Sequence, residues 1–203
     1  MMDHETPVPS VAEEFAEAMD EVTDTTVQLQ EISDLSLFRL EIDPTSEAAR
    51  RLEKVMGAKL PSTRGEVTGD ATAAHLLYGT RQVVACLYVE EGVYLVVTRV
   101  DAVKLGRALT AALGQDEGLV LDVSVNRTVL NLSGKAAAQV IDEVVHFDFP
   151  PDFFNPGKAL SCTVAEARIM LWRIDDLEYL MVPRASDTAP FLVNILDACE
   201  RVK

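Results

Sequence analysis

The chain has 203 residues, room for one generous domain or two very small ones. Apolar residues make up 48% and charged residues 25%, the balance of a globular protein with a core, and no apolar run approaches the roughly 20 residues that span a bilayer. A formal net charge of −15 repels phosphate backbones, which disfavours nucleic acids and anionic membranes as partners.

The acids are unevenly placed. Ten of the 33 precede Arg39, and no Lys or Arg does. Such a start is neither the basic-then-apolar pattern of a secretory signal nor the acid-poor pattern of a transit peptide, so the expected compartment is the cytoplasm. Residues 1–26 read as an acidic N-terminal arm. Ser10 with Glu13 three residues later fits a capping box. Val11, Phe15, Met19 and Val22 then recur at helical spacing, with carboxylates on the other face. A helix this short is marginal alone in water and needs a surface to order against. These four residues are therefore the expected partner-binding stripe, with a fold-back onto the chain's own domain as the competing reading.

A single α+β domain built of two similar halves is expected over 27–203. Leu35, Leu37, Leu40 and Ile42 lie in a strand-like run, and Pro44-Thr45-Ser46 leads into a helix over 47–56 closed by Gly57. Strands are predicted over 75–78, 83–89 and 93–98, the last two joined by a Glu91-Gly92 turn. A helix over 101–113 ends at Gly114. The second half repeats this rhythm, with strands over 119–123 and 128–132 and a helix over 135–144. Strands over 169–174 and 177–182 follow around Asp175-Asp176, and a final helix runs over 187–202. Arg168, Met170, Trp172 and Ile174 share one strand face, and Ile169, Leu171 and Arg173 the other. Both faces are mostly apolar, the mark of a central strand covered on two sides. Mixed or antiparallel sheets with helices packed on one side are the expected architecture.

Few residues point to chemistry. Phosphate-binding loops are missing from the sequence. His4, His75 and His146 are scattered, and His146 with Asp148 is the one acid–base pairing that strand spacing allows. Ser124 shares a face with Asp122, but no sequence signal supplies a base or an oxyanion hole. Glu90-Glu91 and Asp175-Asp176 sit at turns. Cys86, Cys162 and Cys199 are far apart among apolar neighbours, which reads as three structural thiols rather than a metal or redox site. Arg184, between a strand and a helix, can hold a carboxylate from a partner or tie the strand end to its own domain. No catalytic, cofactor-binding or metal-binding residue is assigned.

The C-terminal half carries a string of motifs. Asp122-Val123-Ser124-Val125-Asn126-Arg127, with Gly134 and Ala137 downstream, resembles the D-V-S-x-x-R-x-x-x-x-x-x-G-x-x-A pattern of the gamma subunit of heterotetrameric sarcosine oxidase. Phe147-Asp148-Phe149, Phe154-Asn155-Pro156-Gly157, Cys162-Thr163-Val164-Ala165, Leu171-Trp172-Arg173 and Val182-Pro183-Arg184-Ala185-Ser186 resemble its later motifs in order. Upstream, Val89-Glu90-Glu91-Gly92 stands where the family has a G-P-D-E-W-L-L turn, without the Pro or the Trp.

The resemblance implies an aminomethyltransferase-like folate-binding fold and a non-catalytic accessory subunit. It implies a complex of four kinds of subunit that demethylates sarcosine to glycine, forms hydrogen peroxide and passes a one-carbon unit to tetrahydrofolate. Flavins (FAD and FMN) and NAD would belong to larger subunits and zinc to the smallest, with no cofactor on this chain. A stand-alone folate-binding aminomethyltransferase-like protein and an interaction protein of the same fold are the alternatives.

Overall fold

A computed structural model describes residues 10–33, 35–70, 76, 83–145, 153–164 and 166–202. The chain opens with a 3₁₀ turn (Val11–Phe15) that runs into α1 (Ala16–Val22). Next come β1 (Gln28–Glu31), β2 (Ser36–Glu41), α2 (Glu47–Met56), β3 (Val67–Gly69), β4 (Val84–Glu90), β5 (Val93–Thr98), α3 (Ala102–Leu113) and β6 (Leu119–Asp122). A second 3₁₀ turn (Ser124–Asn126) leads to β7 (Leu130–Ser133), α4 (Ala137–Val144), β8 (Lys158–Val164), β9 (Ala167–Asp175), β10 (Glu178–Pro183) and α5 (Ala185–Arg201).

Local chemistry sets several of these boundaries. The Ser46 hydroxyl accepts from the Ala49 amide at 3.0 Å to start α2, and Gly57 ends it in the left-handed conformation that glycine adopts without penalty. The Asp101 carboxylate caps α3 by accepting from Lys104 N at 2.8 Å. In the β4–β5 hairpin, Gly92 takes φ 73° at the turn and a register shift follows Tyr88.

The strands form two five-stranded sheets, ordered β3-β4-β5-β2-β6 and β1-β7-β10-β9-β8, and every described ladder is antiparallel. The sheets face each other across an apolar layer that includes Leu37, Leu87, Leu95, Met170, Trp172 and Val182. The named helices α2 to α5 cover the outer faces of the two sheets. Phe38, Leu40, Tyr94 and Val96 pack under α2 and α3, while Ile169, Leu171 and Met181 pack under α4 and α5. Period-two alternation produces this layering, because successive side chains of a strand leave opposite faces. β9 shows it directly: Met170 and Trp172 enter the layer between the sheets, and Ile169 and Leu171 enter the layer beneath the helices. No helix among the described residues is long and apolar enough to cross a membrane.

Some expected boundaries move. The strand over 128–132 begins at Leu130, the helix over 135–144 begins at Ala137, and the last helix begins at Ala185. The strand expected over 75–78 lies outside the described residues apart from Leu76, which is helical and buried between the sheets. β1 and β3 were not expected. β1 (Gln28-Leu29-Gln30-Glu31) buries one side chain, and its strand form comes from pairing with β7 rather than from its own pattern.

Residues 10–22 pack on α5, and α1 also meets β1. Ala12, Met19 and Val22 are buried in the layer beneath the helices, with Phe15 half-buried against it. Met19 and Val22, expected in the partner-binding stripe, follow the competing fold-back arrangement in this structure. Both side chains sit in the chain's own core, in the apolar cluster they share with α5. The capping box is corrected. The Ser10 hydroxyl accepts from Ala12 N at 3.2 Å and donates to the Glu31 carboxylate, so β1 rather than Glu13 supplies the acidic partner.

Candidate functional site

The layer between the sheets ends at one rim in arginines. Arg39 lies two residues beyond Leu37 on β2, and Arg168 two residues before Met170 on β9. Arg127 precedes Val129 by two residues, and Arg184 follows Val182 by two. Alternation therefore sends all four side chains to the same side as their apolar neighbours, at the point where the apolar layer stops. They line a cavity of about 230 Å³ together with Ser161, Glu90 and the hairpin residues Val89, Tyr94 and Leu95.

Backbone contacts place the two central arginines. Arg127 and Arg184 form an isolated antiparallel bridge, and Thr128 N donates to the Pro183 carbonyl at 3.3 Å. The buried Thr188 hydroxyl lies 3.0 Å from the Arg184 carbonyl and 2.9 Å from Thr128 Oγ1, tying the start of α5 to both. Arg184 is thus fixed through its backbone while its side chain stays exposed at the cavity. Burial, then the nearby Arg184 and Arg39, hold the Arg127 guanidinium below its ordinary pKa, with Asp187 acting the other way. The Arg39 Nε donates to Glu41 at 2.6 Å. Neither Arg168 nor Arg184 makes an ion pair with a described residue. Four guanidiniums in a planar donor geometry suit carboxylate or phosphate oxygens. The cavity is smaller than the roughly 300–1,000 Å³ of ordinary ligand pockets.

The structure brings Arg184 and Glu90 to this cavity and leaves the other sequence candidates among the described residues apart from it. Val11 and Phe15 are half-buried near α5. Ser124 has a structural job: its hydroxyl donates to Asp122 at 2.6 Å and accepts from Leu37 N at 3.0 Å, stitching the second 3₁₀ turn to β2. The Asp175 carboxylate accepts from Leu177 N at 2.8 Å within its turn, and Asp176 pairs with Arg173 at 3.0 Å. His4, His75, His146 and Asp148 lie outside the described residues. Cys86 and Cys199 are buried and Cys162 half-buried. Burial raises the Cys86 thiol and pushes Cys162 up to about 12, leaving little thiolate for chemistry at neutral pH. Among the described residues no three His, Cys, Asp or Glu side chains gather as a metal site.

Arg39, Arg127 and Arg168 were not among the site residues expected from the sequence. The available signal was that each stands two residues from a buried apolar position, but choosing that face requires knowing that the two sheets stack.

No protein-family model matches the chain. The two-sheet architecture is that of the aminomethyltransferase fold: 88% of the chain superposes on 48% of the glycine cleavage system aminomethyltransferase T from Bartonella henselae, with a TM-score of 0.58 at 15% identity. A closer likeness runs over nearly the whole length. The heterotetrameric sarcosine oxidase from Corynebacterium sp. U-96, solved in complex with pyrrole 2-carboxylate, contains a chain that matches at a TM-score of 0.85 and 30% identity, over 97% of both chains. Sarcosine oxidase subunit gamma from Corynebacterium sp. (strain P-1) is 34% identical over 190 residues, covering 93% of this chain and 88% of the relative. The subunit gamma of strain U-96 is 32% identical over 183 residues, covering 90% and 83%. The chain belongs to the sarcosine oxidase gamma-subunit family, and its relatives are components of an oxidoreductase complex.

Proposed function

We propose that the chain is the non-catalytic, accessory gamma-type subunit of a multi-subunit, flavin-dependent sarcosine oxidase in the cytoplasm. The complex would demethylate sarcosine oxidatively to glycine, release hydrogen peroxide and deliver the one-carbon unit to tetrahydrofolate. FAD, FMN, NAD and zinc would reside on other subunits. The observation that carries this reading is the superposition over 97% of both chains on a component of a heterotetrameric sarcosine oxidase. The described residues add support through what they offer. Burial raises the Cys86 and Cys162 thiols, and Ser124 is committed to ties with Asp122 and Leu37.

The test is reconstitution. Co-expressed with the other subunits, the chain should co-purify in a complex that forms peroxide from sarcosine. Purified alone, it should be colourless, inactive and unshifted in melting temperature by tetrahydrofolate. Flavin absorbance or sarcosine oxidation by the isolated chain would overturn the accessory role. Marked thermal stabilisation by tetrahydrofolate would favour a stand-alone folate-binding protein, since a ligand stabilises by RT ln(1 + [L]/Kd).

A further inference from the structure

We infer that the arginine-lined cavity and the uncovered face of β6 beside it form one docking surface for a carboxylate-bearing segment of a partner subunit. The inference rests on the accessory-subunit reading and adds where the partner sits and what it presents.

Charge is the first leg. The chain carries −15 overall, yet four guanidiniums converge on one small cavity. Three carboxylates of the chain lie close by: Glu41 on Arg39, Glu90 at the rim, and Asp187 near Arg127. Arg168 and Arg184 have no ion-pair partner among the described residues. Mutual repulsion among guanidiniums is an unfavourable arrangement for the free chain and a favourable one for receiving anionic oxygens.

The neighbouring surface is the second leg, and it selects the occupant. Leu121 pairs with Arg39 in the β2–β6 ladder and Leu119 with Glu41, so both leucines share the face that carries Arg39. Elsewhere that face is covered by the second sheet, but at β6 it is open: Leu119 is 38% exposed and Leu121 44%. β6 is also an edge strand, paired with β2 alone among the described strands. Apolar side chains beside arginines, with an unpaired strand edge, make the composition of a protein–protein interface centre. A free small anion would use the cavity and leave the leucines wet. A polypeptide with carboxylates uses both.

The experiment compares assembly of the complex from wild-type chain, the double variant Arg168→Glu/Arg184→Glu, and Leu121→Asp. These side chains are exposed, so the isolated variants should melt no lower than wild type, which separates docking from folding. Assembly should weaken about 100-fold or more in the double variant, as charge pairs become like-charge contacts, and about 10-fold in Leu121→Asp. Wild-type assembly should also weaken as salt is raised. If the wild-type chain fails to join the oxidase subunits at all, the accessory reading itself falls. If the wild type assembles and both variants assemble equally well, the docking inference alone is overturned. Citrate that raises the melting temperature of the isolated wild type but not of the double variant, with assembly unchanged, would also overturn it and assign the cavity to a free anion.

Discussion

Arg127 and Arg184 stand directly opposite each other in an isolated antiparallel bridge, two like charges on one face at the mouth of the cavity between the sheets. Like charges at opposed positions of an antiparallel pair destabilise by about 0.2–1 kcal/mol. Arg39 adds to the repulsion on Arg127, and Asp187 relieves part of it.

Neutralising one member should therefore stabilise the isolated chain. Arg184→Gln is expected to raise Tm by about 1–3 °C at low ionic strength, given roughly 2–4 °C per kcal/mol for a chain of this size. In 1 M NaCl the difference should shrink toward zero, because screening already removes the repulsion. If Arg184 served mainly to tie β10 to its own domain, Tm would fall instead. Thermal melts of both proteins at two salt concentrations decide between these.

Gly134 holds a junction. It has φ 113°, and a Cβ there would stand 2.4 Å from the Thr26 carbonyl oxygen and 2.9 Å from the Thr26 carbonyl carbon. The obstacle is backbone that is itself engaged, since the Thr26 carbonyl accepts from Ala136 N at 3.0 Å. Gly134→Ala should cost about 2–4 kcal/mol of unfolding free energy, seen in urea or thermal unfolding. Gly157→Ala is the control. Its φ is 84° and nothing lies within 4 Å of the added carbon, so only the backbone cost of about 1 kcal/mol is expected.

Local patterns made much of the fold legible. The two-sided apolar pattern of residues 168–174 announced a central strand because its periods of two were both filled. Helix ends were readable at Ser46, Gly57 and Gly114 because capping is a contact within a few residues. Tertiary pairing erased that legibility elsewhere. β1 is three-quarters polar and becomes a strand through its ladder with β7, which no window of sequence contains. The site shows the same division. Arg184 could be noticed from its strand–helix junction. Its meeting with Arg39, Arg127 and Arg168 depends on two sheets stacking in register, so residues up to 145 positions apart line one cavity.

The N-terminal stripe gives a prediction about stability. Met19 is 4% exposed in the layer beneath the helices, so Met19→Ala should destabilise the isolated chain by about 2–3 kcal/mol. Ser10→Ala loses both the bond from Ala12 N and the bond to Glu31, at a cost of about 1 kcal/mol. Removing residues 1–22 should lower Tm more than either substitution. A truncated chain that melts with the wild type would show that α1 contributes nothing to its own domain.

The last prediction concerns a buried asparagine and a half-buried glutamate on neighbouring strands. The Asn131 side chain is nearly inaccessible; its Nδ2 donates to the Glu178 carboxylate at 3.0 Å, while its Oδ1 finds no partner among the described residues. Burial, reinforced by Asp175 and opposed by the Asn131 bond, raises the Glu178 pKa above its ordinary value. A carboxyl whose folded pKa is raised binds its proton more tightly in the folded state, so its contribution to stability is complete below the unfolded pKa and is lost as pH rises through the folded one. At pH 7 the ionised Glu178 is thus a liability. Glu178→Gln removes the charge and brings an N–H that can donate to Asn131 Oδ1, a bond worth about 0.5–1.5 kcal/mol. The variant should melt above the wild type at pH 7. The gap should narrow as pH falls through the raised pKa, because the protonated carboxyl of the wild type then carries an O–H donor of its own. Melting curves from pH 7 to pH 4 test this, and a gap that widens toward acid would refute the assignment.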